Sequence, residues 1–398
     1  MDITIYPGKL SGTIKAIPSK SQAHRLLICA AFSDKATYLE CPQSNEDIDA
    51  TARCLCALGA DIQRTEDGFF VNPVQSIPLE AVLDCGESGS TLRFLLPVVC
   101  ALGVQTTFVM HGRLPYRPLS PLWEELERMG CALIRPTENT ILTRGQLKSG
   151  TFHIRGDVSS QYISGLLFAA ALLQNNSEIQ IIGKLESRPY VEMTQQALHI
   201  FRINTQNLQI VGNQQFTSPG KILVEGDWSN GAFFLTAKEL GNSVDVANLH
   251  ENSLQGDKTV ADILTKGKQH IAFSAADIPD LVPILSVFLA ANNGGVIKDI
   301  ARLRLKESDR VETVCKMLKN FSITVEVTEN EMTIYPGKFR TCTIDSAGDH
   351  RIAMSAAIAA TIADGPVTIM GAECVAKSYP AFWQEYERLG GKYEQYIR

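Results

Sequence analysis

Ser159-Ser160-Gln161-Tyr162-Ile163-Ser164-Gly165-Leu166-Leu167-Phe168-Ala169-Ala170-Ala171 opens on two hydroxyls and an amide, then runs on as an apolar, alanine-rich stretch. The β-rich run Ser177-Glu178-Ile179-Gln180-Ile181-Ile182 follows it. Polar start, apolar helix and strand read as one unit over Asp157 to Ile182. The same order returns at Ser19 to Leu39, Gly86 to Met110, Asp227 to Leu249, Asp277 to Ile300 and Asp349 to Met370. After each comes a second, more amphipathic helix: Glu46 to Leu58, Ser120 to Met129, Tyr190 to Phe201, Asp257 to Leu264, Ser308 to Leu318 and Tyr379 to Leu389. Apolar residues recur there at three and four, as in Trp123, Leu126 and Met129. Strands come next, such as Ile323 to Val327, with Met332 to Tyr335 as hairpin partner across the polar turn Thr328-Glu329-Asn330.

Strand–helix–strand–helix–hairpin, about 65 residues long, is thus expected six times over. Ordinary α/β alternation without true repetition is the plainer alternative. A chain of 398 residues is long enough for two domains, and six copies divide into two α/β domains of three. The turn Ser218-Pro219-Gly220 suggests the crossover. The expected domains are therefore residues 14–217, and residues 1–13 together with 218–398, since the units begin only near Lys15.

Hydrophobic content of 45% and charged content of 20% fit a soluble protein with a large core, and the net charge of −6 argues against a general nucleic-acid binder. Met1 to Tyr6 reads as a strand and not as a signal peptide, and no run approaches the roughly 18 apolar residues of a membrane span. The expected setting is cytoplasmic, with neither membrane nor nucleic-acid partner. The ten cysteines are scattered in apolar runs, as at Cys29, Cys100 and Cys315, and the Cys54–Cys56 spacing suits neither zinc nor redox chemistry. Buried free thiols are expected.

Against this acidic background, basic residues keep appearing with small hydroxyl residues where helices start. Five stretches do so: Pro18 to Arg25, Gly89 to Arg93, Arg304 to Arg310, Asp349 to Arg351 and Ala376 to Pro380. A cation at a helix N-terminus meets the positive end of the macrodipole and costs stability. Such repetition points to a surface that holds anionic groups, as a substrate with phosphates and carboxylates would supply. The basic groups fall in both halves: Lys20, Arg25, Arg93, Arg113 and Arg117, then Lys306, Arg310, Arg351 and Lys377. An active site in an interdomain cleft that closes over a substrate pair is the expectation.

Ser159-Ser160-Gln161 can cap a helix or hold a phosphate, and Ser187-Arg188-Pro189-Tyr190 reads the same way. Asp280, in Ala276-Asp277-Ile278-Pro279-Asp280, is an N-cap or an acid–base group. Glu307, between Lys306 and Ser308, is a solvated surface charge or a paired group tuned for proton transfer. The sequence has no phosphate loop, dinucleotide fingerprint, histidine metal spacing or Gly-x-Ser-x-Gly elbow. His24 and His350, each beside an arginine, read as local hydrogen-bond partners.

Eight motifs in sequence order then carry a resemblance over essentially the whole chain. They are Ser19-Lys20-Ser21…Arg25, Gly89…Arg93, Arg117-Pro118, Ser159-Ser160-Gln161, Pro279-Asp280, Lys306 to Arg310, Asp349-His350-Arg351 and Ala376-Lys377. Together they resemble the enolpyruvyl transferase family, in particular the 5-enolpyruvylshikimate-3-phosphate synthases. The resemblance implies a two-domain inside-out α/β barrel, each domain three βαβαββ units with pseudo-threefold symmetry. It implies transfer of the enolpyruvyl group of phosphoenolpyruvate to the 5-hydroxyl of shikimate 3-phosphate, by a monomer with no metal or organic cofactor. By the same resemblance Lys20, Ser21, Arg25, Ser159, Ser160, Gln161, Ser187, Tyr190, Asp280 and Lys306 would hold shikimate 3-phosphate. Lys20, Gly89, Arg117, Gln161, Arg310, Arg351 and Lys377 would hold phosphoenolpyruvate. Asp280 would accept the hydroxyl proton, and Glu307, assisted by Lys20, would protonate the methylene carbon. Two positions depart from the family pattern: Glu87-Ser88-Gly89-Ser90 stands where Asn-Ala-Gly-Thr is common, and Arg302 where an Asn is common in the shikimate site. The nearest rival, the related transferase acting on UDP-N-acetylglucosamine, carries a loop cysteine that His111 to Arg117 lacks. A non-catalytic anion-binding protein of the same fold is the rival from another class.

Overall fold

The computed structural model describes residues 1–267 and 269–396. The chain forms two compact units, one of Pro18–Val224 and one of Met1–Ile17 with Glu225–Arg398.

Within Pro18–Val224 the second repeat shows the full pattern. Strand Glu80–Asp84 leads through helix Gly89–Leu102 to strand Gln105–Val109, then through helix Leu122–Arg128 to the hairpin Cys131–Thr137 and Thr140–Gly145. The first two strands lie parallel and the hairpin pairs antiparallel with the second. A parallel pair needs a crossover, and the first helix supplies it in the second, third, fifth and sixth repeats. In the first repeat, strand Lys221–Leu223 comes back from the end of the unit to lie parallel to Thr37–Glu40. The sheet of the third repeat has only three strands, Thr151–Arg155, Ser177–Ile182 and Gln209–Ile210.

In the other unit the fifth repeat is complete, from Ile271–Ser274 to the hairpin Val325–Val327 and Glu331–Ile334. The sixth borrows Asp2–Tyr6, which slots between Val367–Met370 and Lys392–Tyr396. The fourth has only Ser11–Lys15 beside Ser243–Ala247 among the described residues. Its second helix, expected from Asp257, starts as a 3-10 turn Gly256–Thr259 and becomes α-helical at Val260–Thr265. The next strand then begins at Ile271, which leaves no room for a hairpin. The repeat is thus complete four times among the described residues.

The expected domain edges need correction at both ends. Residues 14–17 belong with the C-terminal unit, because Ser11–Lys15 pairs with Ser243–Ala247. Residues 218–224 belong with the N-terminal unit, because Lys221–Leu223 pairs with Thr37–Glu40. Strand pairing overrides turn chemistry in placing both boundaries.

Helices fill the centre of each unit and sheets lie outside. Of helix Ser160–Leu172 only Gln161 and Leu172 escape full burial, whereas strand Gln105–Val109 buries alternate residues. A helix that is apolar all round has no face to offer water, so it goes to the middle. Gly165 lets this helix approach helix Gly89–Leu102 closely, since a Cβ there would overlap the Arg93 carbonyl oxygen.

Candidate active site

Four helix starts assemble the basic groups of the N-terminal unit. Ser19 caps helix Lys20–Ala31, Ser88 caps helix Gly89–Leu102 and Ser159 caps helix Ser160–Leu172, each through its side-chain oxygen. Helix Arg188–Ile200 begins after Ser187, a buried serine held at φ 55° in the left-handed region. Strain of this kind concentrates at functional positions. Lys20 pairs with Asp47 at 2.8 Å. The Arg25 guanidinium is buried and donates to Thr194 Oγ1 at 2.8 Å, to the Tyr190 carbonyl at 2.8 Å and to the Ser21 carbonyl at 2.5 Å. It also lies 5.0 Å from the centre of the Phe94 ring. Burial pulls its pKa down to about 10, so it stays cationic at neutral pH.

Gln161 bridges two helix starts: its Nε2 donates to Ser90 Oγ at 3.0 Å and its Oε1 accepts from Arg93 Nη1 at 3.2 Å. A Cβ on Gly89 would stand 2.5 Å from Arg93 Nη1 and 2.7 Å from Arg117 Nη1, so this glycine is the gap into which two guanidiniums reach. The exposed Glu87 turns its carboxyl group against Gly112. Under these helix starts runs a hydroxyl chain, with His24 Nδ1 to Thr51 at 2.7 Å, Thr51 to Thr91 at 2.7 Å and Thr91 to Ser88 at 2.7 Å. His24 is a local hydrogen-bond partner, as expected from its position.

The C-terminal unit gathers a denser cluster. Asp280 is not a helix cap: Leu281 occupies the cap position of helix Val282–Ala291, which has no side-chain cap. Instead Asp280 Oδ1 accepts from Lys306 Nζ at 3.3 Å and Arg310 Nη1 at 2.5 Å, and Oδ2 accepts from Arg351 Nη2 at 3.2 Å. Burial disfavours its charge, but Arg351, Lys306 and Arg310 outweigh burial and hold the carboxyl well below the ordinary carboxylate range. Arg310 is fully buried and also donates to Asp349 Oδ2 at 2.9 Å and Glu307 Oε2 at 2.7 Å. Burial lowers the pKa of Lys306, and the charges of Arg310 and Arg302 add to this, against the pull of Asp280 and Glu307. Arg302 therefore faces Lys306 as a further cation.

Lys377 does not open a helix. It ends the 3-10 turn Ala372–Lys377, and its Nζ donates to the Gly348 carbonyl at 3.2 Å, just ahead of helix His350–Ala360. The next helix begins at Phe382. No group of three or more His, Cys, Asp or Glu side chains suited to a metal occurs among the described residues.

Residues 5–386 match the family model for EPSP synthase (3-phosphoshikimate 1-carboxyvinyltransferase). The chain belongs to the EPSP synthase family. The 3-phosphoshikimate 1-carboxyvinyltransferase of Clostridium acetobutylicum is 38% identical over 418 residues, covering 98% of this chain and 97% of that protein. The protein of the same name from Clostridium botulinum (strain Eklund 17B / Type B) is 36% identical over 425 residues, with 98% of each covered. The fold is that of EPSP synthase from Acinetobacter baumannii, at TM-score 0.81 and 24% identity, covering 99% of this chain and 100% of that one. It is also that of the enolpyruvyl transferase NikO from Streptomyces tendae, at TM-score 0.77 and 14% identity, covering 99% and 98%.

As an EPSP synthase family member, the chain brings Asp280, Lys306, Glu307, Arg310 and Arg351 together in one cluster. Lys20, Arg25, Gly89, Arg117, Ser159, Ser160, Gln161, Ser187 and Tyr190 stand at the helix starts of the other unit. Sequence reasoning placed Arg93 among the anion-binding cations without assigning it a substrate, and gave no role to Asp349. Each sits one helical turn or two residues from an assigned group, Arg93 after Gly89 and Asp349 before Arg351, and that spacing was the available signal. Asp257 was read only as a helix start, and nothing in its local sequence distinguishes a cap from a buried acid.

Proposed function

We propose that this chain catalyses the reaction in its family's name: transfer of the enolpyruvyl group of phosphoenolpyruvate to the 5-hydroxyl of shikimate 3-phosphate. Phosphate leaves by way of a tetrahedral intermediate. The observation that carries the reading is the position of Asp280, which binds three cations and caps nothing. In this reading Arg25, Lys20, Ser21, Ser159, Ser160, Gln161, Ser187, Tyr190 and Lys306 hold shikimate 3-phosphate. Lys20, Gly89, Arg117, Gln161, Arg310, Arg351 and Lys377 hold phosphoenolpyruvate. Each substrate is thereby assigned groups from both units. The protein works as a cytoplasmic monomer.

Asp280 takes the hydroxyl proton. Three cations make it a weak base in the empty protein. Phosphate and carboxylate groups arriving at Lys306, Arg310 and Arg351 divert those cations, and the proton affinity of Asp280 rises when a base is needed. Glu307, held by Arg310 at 2.7 Å, delivers a proton to the methylene carbon with Lys20 assisting. Asp280→Asn tests the assignment. In protein shown to be folded, turnover measured by phosphate release should fall about 10²–10⁴-fold while shikimate 3-phosphate still binds. Near-normal turnover would move the base role to Glu307 or Lys306. No phosphate release from the unaltered protein would favour the non-catalytic anion binder.

A further inference from the structure

Two rungs join the first two helices of the N-terminal unit. Lys20 and His24 stand four residues apart on helix Lys20–Ala31, and Asp47 and Thr51 stand four apart on helix Glu46–Ala57, so each pair shares a face. Lys20 Nζ meets Asp47 Oδ2 at 2.8 Å, and one turn further along His24 Nδ1 meets Thr51 Oγ1 at 2.7 Å. Helix Gly89–Leu102 is tied to both rungs: Thr91 Oγ1 lies 2.7 Å from Thr51 Oγ1 and 3.4 Å from the Asp47 carbonyl oxygen. Thr91 also donates to Ser88 Oγ, the cap beside Gly89, through its hydroxyl at 2.7 Å and its backbone N–H at 3.2 Å.

His24, Thr51, Thr91 and Ser88 are all fully buried. Their contacts set a direction. The Thr91 hydroxyl hydrogen goes to Ser88, so the Thr91 oxygen accepts from Thr51, and Thr51 accepts from His24 Nδ1–H. His24 Nε2, without a partner among the described residues, is then left as a bare lone pair and not as an unpaired N–H. Such a chain adds little net stability, since apolar groups of the same shape would serve nearly as well. What a satisfied buried chain fixes is geometry.

We propose that Thr51 is a positioning residue for enolpyruvyl transfer: by tying His24 to Thr91 it sets how far Lys20 stands from the helix start at Gly89. This rests on the reading of Lys20 and Gly89 as substrate-binding groups. Thr51→Val keeps the shape but leaves the His24 N–H and the Thr91 oxygen without the hydroxyl between them. The two helix starts are then no longer held to one separation.

The test is phosphate-release kinetics with melting temperatures measured alongside. Thr51→Val should lower kcat/KM for phosphoenolpyruvate about 10- to 100-fold, the scale of a misplacement on the order of 1 Å. Binding of shikimate 3-phosphate should change little, because Arg25, Ser159 and Ser160 lie outside the chain. Thr51→Ser, which keeps the hydroxyl, should retain most of the activity. Thr91→Val breaks the same chain from its other side, so the two valine changes together should lose little more than either alone. If Thr51→Val does not fold, Thr91→Val against Thr91→Ser decides. A lowered melting temperature with unchanged kcat/KM, equal losses in the valine and serine variants, or additive losses in the double variant overturns the proposal. Normal turnover in Lys20→Ala would instead overturn the reading of Lys20, so the two failures are distinguishable.

Discussion

Gly89 leaves open the space that Arg93 Nη1 and Arg117 Nη1 enter, at 2.5 and 2.7 Å from where a Cβ would be. Gly89→Ala should therefore push aside Arg117, assigned to phosphoenolpyruvate, and Arg93 beside it. Arg93 has little freedom to yield, because it also holds the Pro118 carbonyl at 3.1 Å and Gln161 at 3.2 Å. The expected result is about a tenfold rise in KM for phosphoenolpyruvate, from one weakened charge-assisted contact, with little change for shikimate 3-phosphate. An equal rise for both substrates would count against the assignment. His24 gives a second expectation. Burial first, then the charges of Lys20 and Arg25, hold its pKa well below 6.5. Unfolded, it titrates near 6.5. Between those values the unfolded chain binds more protons than the folded one, so stability falls as pH drops below about 6.5. The slope is on the order of 1 kcal/mol per pH unit. His24→Gln should flatten that slope in melting temperatures compared at about pH 7.5 and about pH 5.5, and an unchanged slope would refute it. Whether an aspartate beside a helix start is cap or catalyst could not be read locally. Asp280 looked equally like a cap because the deciding partners, Lys306, Arg310 and Arg351, lie far along the chain.

Helices of this chain were legible where composition was extreme. Ser160–Leu172 could be placed from its alanine-rich run, and its burial follows from having no polar face. What local pattern could not show was how near its neighbour would lie. Gly165→Ala should force helix Ser160–Leu172 away from the Arg93 carbonyl and cost about 1–3 kcal/mol, as overpacking does. Thermal unfolding measures this, and an unshifted melting temperature would show that the helices can separate freely. Weakly patterned elements were placed less well. Lys377 looks like a helix start because a basic residue, a serine and a proline stand in order, yet it ends the turn Ala372–Lys377 and the helix begins only at Phe382. The fourth repeat was read as complete, but Val260–Thr265 is followed by a strand at Ile271. Counting residues between elements would have shown that a hairpin does not fit there.

If both units grip the same substrates, cations that repel one another in the empty protein should be drawn together by anionic ligands. Small-angle scattering should then show a smaller radius of gyration when shikimate 3-phosphate is saturating. An unchanged radius would exclude closure. By itself the sequence showed the strand–helix–strand–helix–hairpin order, the presence of two units without their edges, and most of the basic residues at helix starts. These are local patterns of period, polarity and turn chemistry, written within a few dozen residues. Tertiary structure alone decided the rest. Asp2–Tyr6 completes the sixth repeat beside Val367–Met370, and Lys221–Leu223 completes the first beside Thr37–Glu40. Both borrowings satisfy backbone hydrogen bonds that no neighbouring segment could reach. Asp280, Arg310 and Arg351 likewise acquire their meaning only when distant segments bring them together, because the ionisation of a buried group is set by the charges around it in space and not along the chain.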